Sequence, residues 1–244
     1  MTYSVILPTL NEKNHIIQLI KAISEVFKRN KKKFEIIVVD DCSDDGTIEI
    51  LNENKDKMSF LKVFIRKGKK RNLANSINDG ISNAIYENVI WMDADFQHNP
   101  EAINFFINYS ENYDFVICSR FVQGSSRYFD KIDDKTFNEP QSIFFNKICR
   151  LFLFKDLTDF TSGYTCIKKN IFEDYKLKGY YGEYFLDLIE YSKRKKLKLI
   201  EVPFNEKERA SGKSKTDTLN LRYIIILLNY FLCFLKVLIK KYLL

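Results

Sequence analysis

Short β-rich stretches alternate with stretches of helical periodicity in the first half of the chain. The β-rich stretches are Tyr3–Leu7, Phe34–Val39, Leu61–Ile65, Val89–Met92 and Phe115–Ser119. Apolar residues recur at helical spacing after the first of them, at Ile16, Ile20, Ile23 and Phe27, and again from Ala74 to Ala84. Strands that alternate with helices form βαβ units. The pattern therefore predicts an α/β fold with a mainly parallel sheet covered by helices on both faces.

The second half of the chain is less regular. It contains two strand-like segments, Tyr164–Lys168 and Leu197–Val202, and a helical segment near residues 184–195. A polar loop is predicted over residues 124–141, and a basic loop over residues 205–215. The end of the chain, from Leu219 to Leu244, is strongly apolar. We predict one domain over residues 1–216, followed by an apolar C-terminal helix over residues 217–244.

Two aspartates separated by one residue follow the fourth predicted strand, in the segment WMDADFQHNP. Residues two apart in an extended strand project to the same side, so Asp93 and Asp95 are expected to point at one place. Two carboxylates repel each other unless a cation lies between them, and hard oxygen ligands suit Mg²⁺ or Mn²⁺. Gln97 offers a further oxygen. A turn cap followed by a solvated aspartate would give the same pattern, so this motif alone leaves both interpretations open.

Polar residues also follow the first two strands. The first strand runs into LPTLNE, which contains Pro8 and Glu12, and the second runs into VVDDCSDDGT, which contains Asp40 and Asp41. Acidic residues at the end of a second strand of this kind commonly accept hydrogen bonds from ribose hydroxyls or a base edge. Ligands bind beyond the carboxyl ends of strands in open α/β sheets, so these segments predict one shared cleft.

Composition and cysteine spacing narrow the classes of partner and compartment. The 244 residues carry a formal net charge of +7, which favours anionic partners such as nucleotides, phosphates or an acidic membrane surface. The five cysteines show neither close pairing nor metal-ligand spacing, and the N-terminus does not resemble a signal peptide. We therefore expect a protein without disulfides on the cytosolic side.

These segments together resemble the GT-A fold glycosyltransferases of the inverting family 2, and most closely the dolichyl-phosphate mannosyltransferase group of polyprenyl-phosphate sugar transferases. Besides DADFQHNP, five segments occur in the order seen in that group: CSRF (118–121), TDFTSGY (158–164), GEYFLDLI (182–189), IEVPF (200–204) and RASGKSK (209–215). The resemblance covers residues 3–216. It implies an inverting, metal-dependent enzyme that moves a sugar from a nucleoside diphosphate sugar, such as GDP-mannose or UDP-glucose, to a polyprenyl phosphate.

The resemblance assigns donor-side roles to individual residues. Nucleotide binding is implied for Pro8, Glu12, Asp40, Asp41, Asp93, Arg209 and Lys215, the last two by holding the diphosphate from the basic loop. Binding of Mg²⁺ or Mn²⁺ is implied for Asp93, Asp95 and Gln97, which makes Asp95 a catalytic residue. Fixed cations at this place stabilise the negative charge that a leaving nucleoside diphosphate gains in the transition state.

The acceptor side carries fewer matches. A lipid phosphate is already anionic, so it needs a cationic pocket, whereas a sugar hydroxyl needs a general base. Arg120 matches the group's phosphate-facing arginine and Ser142 a nearby serine, and Asp159 is the best carboxylate for a base or a second metal contact. Relatives place a basic residue before that serine, whereas this chain reads TFNEP. Arg127, Lys131 and Lys135 are the candidates to replace it.

The apolar tail bears on location. Arg222 and Lys236 enclose thirteen uncharged residues, about 20 Å of helix against a hydrocarbon core of about 30 Å. Three interpretations are open: a helix lying in or shallowly within the membrane surface, a short span, or a helix for core or dimer packing. Membrane association is favoured because the acceptor lies in the bilayer and Lys236, Lys240 and Lys241 would attract anionic headgroups. The expected location is the cytoplasmic face of the membrane, with homo-oligomerisation through the helix as an alternative.

Three other functions compete with this interpretation. A transferase of the same fold could act on a sugar hydroxyl in surface-polysaccharide or lipopolysaccharide synthesis, and it would need a positioned base. A nucleic-acid-binding protein should interleave aromatic and basic residues and lack an acidic cleft, so nucleic acid is not expected as a partner. A non-catalytic binder of nucleotide sugars is disfavoured because the predicted metal and diphosphate residues are all present.

Overall fold

The computed structural model describes residues 1–125, 140–206 and 221–243. Within these ranges the strands are β1 (Thr2–Thr9), β2 (Lys33–Asp40), β3 (Leu61–Ile65), β4 (Asn88–Trp91), β5 (Phe115–Ser119), β6 (Thr165–Lys168) and β7 (Leu199–Pro203). The helices are α1 (Ile16–Arg29), α2 (Thr47–Lys55), α3 (Leu73–Asn83), α4 (Ile103–Tyr109), α5 (Pro140–Phe152), α6 (Tyr184–Arg194) and α7 (Leu221–Leu243). Two short 3₁₀ helices span Pro100–Ala102 and Lys169–Glu173.

The strands form one sheet in the order β3-β2-β1-β4-β6-β5-β7. Only β6 runs against its neighbours, since it pairs antiparallel with β4 and β5, while the other described pairs are parallel. The predicted mainly parallel sheet is therefore confirmed. Because β1, β2, β4 and β5 share one direction, the loops that follow them lie at the same edge of the sheet.

Alternation along the strands feeds two cores, one on each face of the sheet. In β1, Ile6 packs into a core with residues of α3 and α6, whereas Val5 and Leu7 pack into a core with residues of α1 and α4. Helix α3 lies so close to β1 that a Cβ on Gly80 would overlap the Ile6 side chain. The predicted coverage of both faces is thus confirmed.

Helix α7 packs on the domain but leaves much of its apolar surface uncovered. Phe234 and Val237 belong to the core shared with α6, whereas Leu228, Phe231 and Leu232 are each more than half exposed. Within the described ranges, none of the helices has the length and apolar character needed to cross a bilayer. The division between residues 216 and 217 stays a prediction.

Three local features differ from the sequence-based expectations. Helices α2 and α5 were not predicted, and α5 begins at Pro140, inside the predicted loop over 124–141. Strand β4 ends at Trp91, and a bend replaces the extended conformation expected for Asp93 and Asp95.

All five cysteines are free thiols, which agrees with the predicted absence of disulfides.

Candidate active site

The loops after β1 and β2 are joined by hydrogen bonds. The Asn11 side chain donates to Asp44 at 2.8 Å, and the backbone amide of Lys13 donates to the Asp45 carboxylate at 3.1 Å. The backbone amide of Glu12 donates to the Thr47 hydroxyl at 3.0 Å. The segments that contain the predicted nucleotide residues Pro8, Glu12, Asp40 and Asp41 therefore form one connected rim at the carboxyl edge of the sheet.

Asp40 and Asp41 are buried and accept hydrogen bonds from the protein. The two Asp40 oxygens accept from the Ser43 amide at 2.8 Å and the Ser43 hydroxyl at 2.5 Å. Asp41 forms an ion pair with buried Arg66 and accepts from the Asn72 amide at 2.9 Å. These carboxylates therefore shape the loops after β2 and β3. Direct contact of their side chains with a nucleotide stays a prediction.

The DADFQH segment forms a tight bend immediately after β4. Phe96 has a positive φ of 65°, and the Gln97 amide donates to Asp95 Oδ1 at 3.0 Å. The expectation that Asp93 and Asp95 lie in an extended strand is therefore wrong. The bend gives the carboxylates different surroundings, because the Asp93 side chain is 49% exposed whereas Asp95 is 5% exposed.

His98 supports this bend from below. Its Nδ1 accepts a hydrogen bond from the Asp93 amide at 2.9 Å, and its ring stacks on Tyr164 with the centroids 4.8 Å apart. Burial lowers the pKa of His98 to about 4, so the ring is neutral at physiological pH. His98 thus holds the Asp93 backbone in place.

The donor set of the bend fits a hard divalent cation. Two carboxylates and one amide oxygen, from Asp93, Asp95 and Gln97, follow each other within five residues. No group of three or more His, Cys, Asp or Glu side chains suited to a metal occurs in the described part of the chain. Mg²⁺ commonly takes one or two carboxylates and completes its shell with waters and substrate phosphates, so the three side chains suit it.

A cleft of about 140 Å³ lies beside the bend. Its polar walls come from Asp93, His98, Arg120 and Glu206, and its apolar walls include Leu73, Tyr184 and Phe204. A larger groove of about 270 Å³ between α3 and residues 172–176 contains none of the predicted site residues. The smaller cleft is therefore the candidate site, because Asp93 of the predicted metal residues and Arg120 of the predicted acceptor residues both line it.

Arg120 and Asp159 form a buried ion pair at one wall of the cleft. Arg120 donates through Nε to Asp159 Oδ2 at 2.9 Å and through Nη2 to Oδ1 at 3.1 Å, and its backbone amide donates to the same carboxylate. Burial alone would raise the pKa of Asp159, but the Arg120 charge and hydrogen bonds hold it below its usual value. A fully buried carboxylate with a lowered pKa is at odds with the general-base role predicted for Asp159.

The predicted acceptor residues Arg120 and Ser142 converge on Thr161. Arg120 Nη2 lies 2.6 Å and Ser142 Oγ 3.5 Å from Thr161 Oγ1. The buried Asn146 of α5 donates to the same oxygen at 3.0 Å and accepts from the Phe160 amide at 2.6 Å. Helix α5 thus brings Ser142 to the segment that holds Arg120.

Several site residues were not identified from the sequence, and several predicted ones lie outside the described residues. The predicted residues that lie outside the described ranges are Arg209 and Lys215, and also Arg127, Lys131 and Lys135. The residues in or around the site that the sequence did not identify are Asn146, Thr161, Glu201 and Glu206. Thr161 lies inside the TDFTSGY segment and Glu201 inside IEVPF, so the motifs contain both residues and could have indicated them. Asn146 carried no signal, because it lies in a helix that was not predicted.

Comparison with known families identifies the chain. The model of glycosyl transferase family 2 matches residues 4–176, which is more than half of the 244 residues. The chain belongs to glycosyl transferase family 2. The resemblance drawn from the motifs is thereby confirmed at the level of the family.

Curated relatives within family 2 agree with the narrower resemblance. A dolichol-phosphate mannosyltransferase of Pyrococcus furiosus is 32% identical over 220 residues, covering 88% of this chain. A protein of the same name from Mycosarcoma maydis is 29% identical over 224 residues, covering 88% of this chain and 73% of the relative. The chain spans 59% of the length of the Pyrococcus relative.

Solved structures support the fold. Glucosyl-3-phosphoglycerate synthase from Mycobacterium tuberculosis, crystallised with Mn²⁺, uridine diphosphate and phosphoglyceric acid, matches with a TM-score of 0.66 at 16% identity. The match covers 98% of this chain and 78% of that one. It confirms the predicted family 2 architecture of a mostly parallel sheet between helices.

Proposed function

We propose that the chain transfers a sugar, with inversion, from a nucleoside diphosphate sugar to a polyprenyl phosphate. The observation that carries the proposal is the cleft that Arg120 and Asp93 both line. It joins a cation suited to an acceptor phosphate with a carboxylate suited to the donor's metal. The Pyrococcus and Mycosarcoma relatives, both named dolichol-phosphate mannosyltransferases, support the same substrate class.

The donor side works by neutralising the leaving group. Asp93, Asp95 and Gln97 would hold Mg²⁺ or Mn²⁺, and the cation would supply positive charge to the departing diphosphate. Arg209 and Lys215 add fixed charge to the same diphosphate, while Pro8, Glu12, Asp40 and Asp41 form or shape the nucleoside site. His98 keeps Asp93 in position through the 2.9 Å hydrogen bond to its amide.

The acceptor side binds a nucleophile that needs no deprotonation. Arg120 is oriented by its two hydrogen bonds to Asp159, Thr161 lies beside it, and Ser142 lies beside Thr161. A phosphate oxygen is already anionic at neutral pH, so this wall of the cleft has to bind the phosphate and direct its oxygen at the sugar. The Arg120–Asp159 pair supports this assignment, because it removes the best predicted base from use.

A second candidate function rests on Glu206. This carboxylate lines the cleft with its Oε2 3.9 Å from Arg120 Nη1, and its side chain is 17% exposed. It was not among the predicted site residues, and it would suit a general base for a sugar hydroxyl. The two functions make opposite demands on it, because a carboxylate opposes an anionic acceptor but activates a neutral one.

Replacing Glu206 separates the two functions. Glu206→Gln removes the charge at nearly constant shape. With farnesyl phosphate as acceptor we expect retained turnover and a lower acceptor KM, because one repulsive charge is gone. With a hydroxyl acceptor, loss of the base should reduce kcat by roughly 100-fold or more. The assay uses a panel of radiolabelled sugar nucleotides, followed by extraction of the product into organic solvent.

Arg120→Lys is the companion variant. It keeps a positive charge beside Asp159 but loses the forked hydrogen-bond geometry. We expect the KM for farnesyl phosphate to rise by roughly tenfold or more, with the KM for the sugar nucleotide unchanged. Transfer that depends on Glu206 but not on Arg120 would exclude the phosphate acceptor and favour the hydroxyl.

The location proposed is the cytoplasmic membrane surface, with residues 1–216 as the catalytic domain and 217–244 as the membrane-facing helix. Phe144, Leu151 and Phe152 of α5 and Leu228 and Phe231 of α7 are all about half or more exposed. The two helices pack together, since Phe145 of α5 contacts Tyr230 and Phe234 of α7. Exposed apolar side chains on adjacent helices favour a lipid surface, and α5 also carries Ser142 of the acceptor site.

A further inference from the structure

Strand β7 directs a carboxylate at the backbone of the segment 158–161. Glu201 Oε2 accepts hydrogen bonds from the Thr158 amide at 2.8 Å and the Thr158 hydroxyl at 2.9 Å, and Oε1 accepts from the Asp159 amide at 2.7 Å. Three donors on two successive residues thus converge on one side chain. Glu201 lies beside Ile117 of β5, so it is fixed by the sheet itself.

The segment that Glu201 holds is the one that orients Arg120. Asp159 accepts from Arg120 Nε and Nη2, and the hydroxyl of Thr158 lies 2.7 Å from that of Ser119, the residue before Arg120. A shift of the Asp159 backbone would therefore move the guanidinium. Glu201 itself is not among the residues that line the cleft.

A carboxylate at this place is costly without such a role. Leu199, two residues earlier on the same face of β7, packs against an apolar core. Burial raises the pKa of Glu201 to about 7, and the neighbouring Asp159 charge adds to this rise against the opposing hydrogen bonds. A polar side chain is kept in such surroundings only with its hydrogen bonds satisfied, and all three described here go to the Arg120-orienting segment.

We propose that Glu201 is a positioning residue for the acceptor: it fixes Asp159 and, through Asp159, the direction of the Arg120 guanidinium. The inference rests on the proposed function, since it takes Arg120 as the contact for the acceptor phosphate. Asn146 supports the segment from the other side through its bond to the Phe160 amide, so β7 and α5 hold the segment between them.

The test is a double-substitution cycle on the full chain with farnesyl phosphate as acceptor. Glu201→Gln replaces one accepting oxygen by a donor that faces the Thr158 amide and hydroxyl. We expect the acceptor KM to rise about tenfold, with kcat and the donor KM nearly unchanged. In the Arg120→Lys background the same change should have little further effect, because a lysine has no fork to orient. Multiplicative effects of the two substitutions would overturn the proposal.

Glu35→Gln is the matched control. Glu35 is a buried carboxylate that likewise accepts from a backbone amide, Ile85 at 2.7 Å, and from a hydroxyl, Ser4 at 2.6 Å. It lies near the opposite end of the sheet, so its loss should lower the melting temperature without changing the acceptor KM. A similar rise in acceptor KM for both variants would make Glu201 merely structural. Thr158→Val removes one donor without touching β7 and should raise the acceptor KM by a smaller factor.

A measurement without substrate separates this inference from the proposed function. The Arg120 Nε–H donates to Asp159, so its hydrogen exchange, followed by nitrogen–proton NMR, should be slow in the unmodified chain. We expect Glu201→Gln to accelerate this exchange at least about fivefold and Glu35→Gln to leave it unchanged. Unchanged exchange in Glu201→Gln overturns the positioning role even if the enzyme uses a lipid phosphate. Faster exchange in a chain that transfers only to hydroxyls upholds the positioning role and refutes the proposed acceptor.

Discussion

At the scale of single residues, carboxylates divide by their partners. Asp40, Asp41 and Asp159 are buried against backbone amides, hydroxyls or arginines and act as parts of the framework. Asp93 is half exposed at the cleft, whereas Asp95, two residues later in the chain, is buried. Position in a motif therefore does not by itself separate a ligand-binding carboxylate from a structural one, and burial does not either, because Asp95 is as buried as Asp41.

The first prediction at this scale concerns Asp95. Asp95→Asn keeps an oxygen that can accept from the Gln97 amide but removes the charge that would face the cation. Turnover should fall by roughly 100-fold or more, because the leaving diphosphate loses its fixed countercharge. The fold should survive, since the hydrogen bond remains. Turnover is measured with saturating MnCl₂, and melting temperature with and without MnCl₂ and a nucleoside diphosphate.

Asp156→Asn serves as the control for this change. Asp156 has a side chain that is 67% exposed and paired with Lys193, and neither residue lines the cleft. It should retain turnover and the rise in melting temperature that Mn²⁺ and nucleotide give the unmodified chain. An Asp95→Asn variant with near-normal turnover would refute the metal assignment.

At the scale of elements, α7 is held on α6 by charge as well as by apolar packing. Lys240 Nζ lies 2.9 Å from Asp187 Oδ1 and 3.1 Å from Glu190 Oε2, and Lys236 Nζ lies 3.2 Å from the same Asp187 oxygen. Both acids are almost fully buried. Burial alone would raise the pKa of Asp187, but the two lysines hold it below its usual value. Asp187 is therefore charged at neutral pH and depends on the lysines of α7.

Removing Lys240 should loosen α7. Lys240→Met keeps the apolar stem but leaves two buried carboxylates with one fewer countercharge, at a cost of about 1–3 kcal/mol. Hydrogen exchange of the α7 amides should accelerate by a corresponding factor. Lys193→Met, which breaks the more exposed pair of α6 with Asp156, should leave α7 exchange unchanged. Equal exchange rates in all three chains would show that apolar packing alone holds the helix.

Acid should act on the same contact. The pKa of Asp187 is depressed in the folded chain, so its stabilising contribution is present above its unfolded value near pH 4. That contribution is lost as the pH falls through the folded value. We therefore expect faster α7 exchange only below about pH 4, measured as protection after correction for intrinsic exchange rates. Loss of protection between pH 5 and 7 would contradict the assignment.

The elements also show how much of the fold could be predicted from the sequence. Regular periodicity was enough for β1 to β5, α1 and α3, because each buries a continuous apolar face. Helix α2 was missed, since only Thr47 and Leu51 of its residues are buried and its pattern is weak. The acceptor side of the cleft was predicted in part. The motifs identified Arg120, Ser142 and Asp159, but the contacts among these residues depend on the tertiary fold and cannot be read from the motifs. Nothing local in TDFTSGY indicates that the Asp159 carboxylate pairs with Arg120. Nor does it indicate that Glu201, 42 residues later, accepts a hydrogen bond from the Asp159 amide.

At the scale of the whole molecule, the proposed function requires the cleft and the exposed apolar helices to serve one acceptor. A polyprenyl phosphate has a charged end for Arg120 and a chain that stays in the bilayer, so the surface near Ser142 should face lipid. Helix α5 meets this demand, since Phe144 is 67% exposed two residues after Ser142. A second copy of the chain is the competing occupant of the same apolar surface, because homodimers also bury such faces.

The last prediction decides between lipid and a second copy. Leu228→Glu and Phe231→Glu place charges on the exposed face of α7, where both side chains are more than half exposed. Each should weaken binding to vesicles that contain anionic lipid by roughly tenfold or more, because an apolar anchor is lost and a repelling charge gained. Ile85→Glu, at a site 64% exposed and distant in sequence from α5 and α7, should bind vesicles normally.

Point variants are preferable to trimming the chain after Lys215, since removal of α7 would also take Phe234 and Val237 out of the core. Unchanged vesicle binding together with a shift from dimer to monomer in light scattering would assign the surface to self-association, and the acceptor would then have to reach Arg120 by another route.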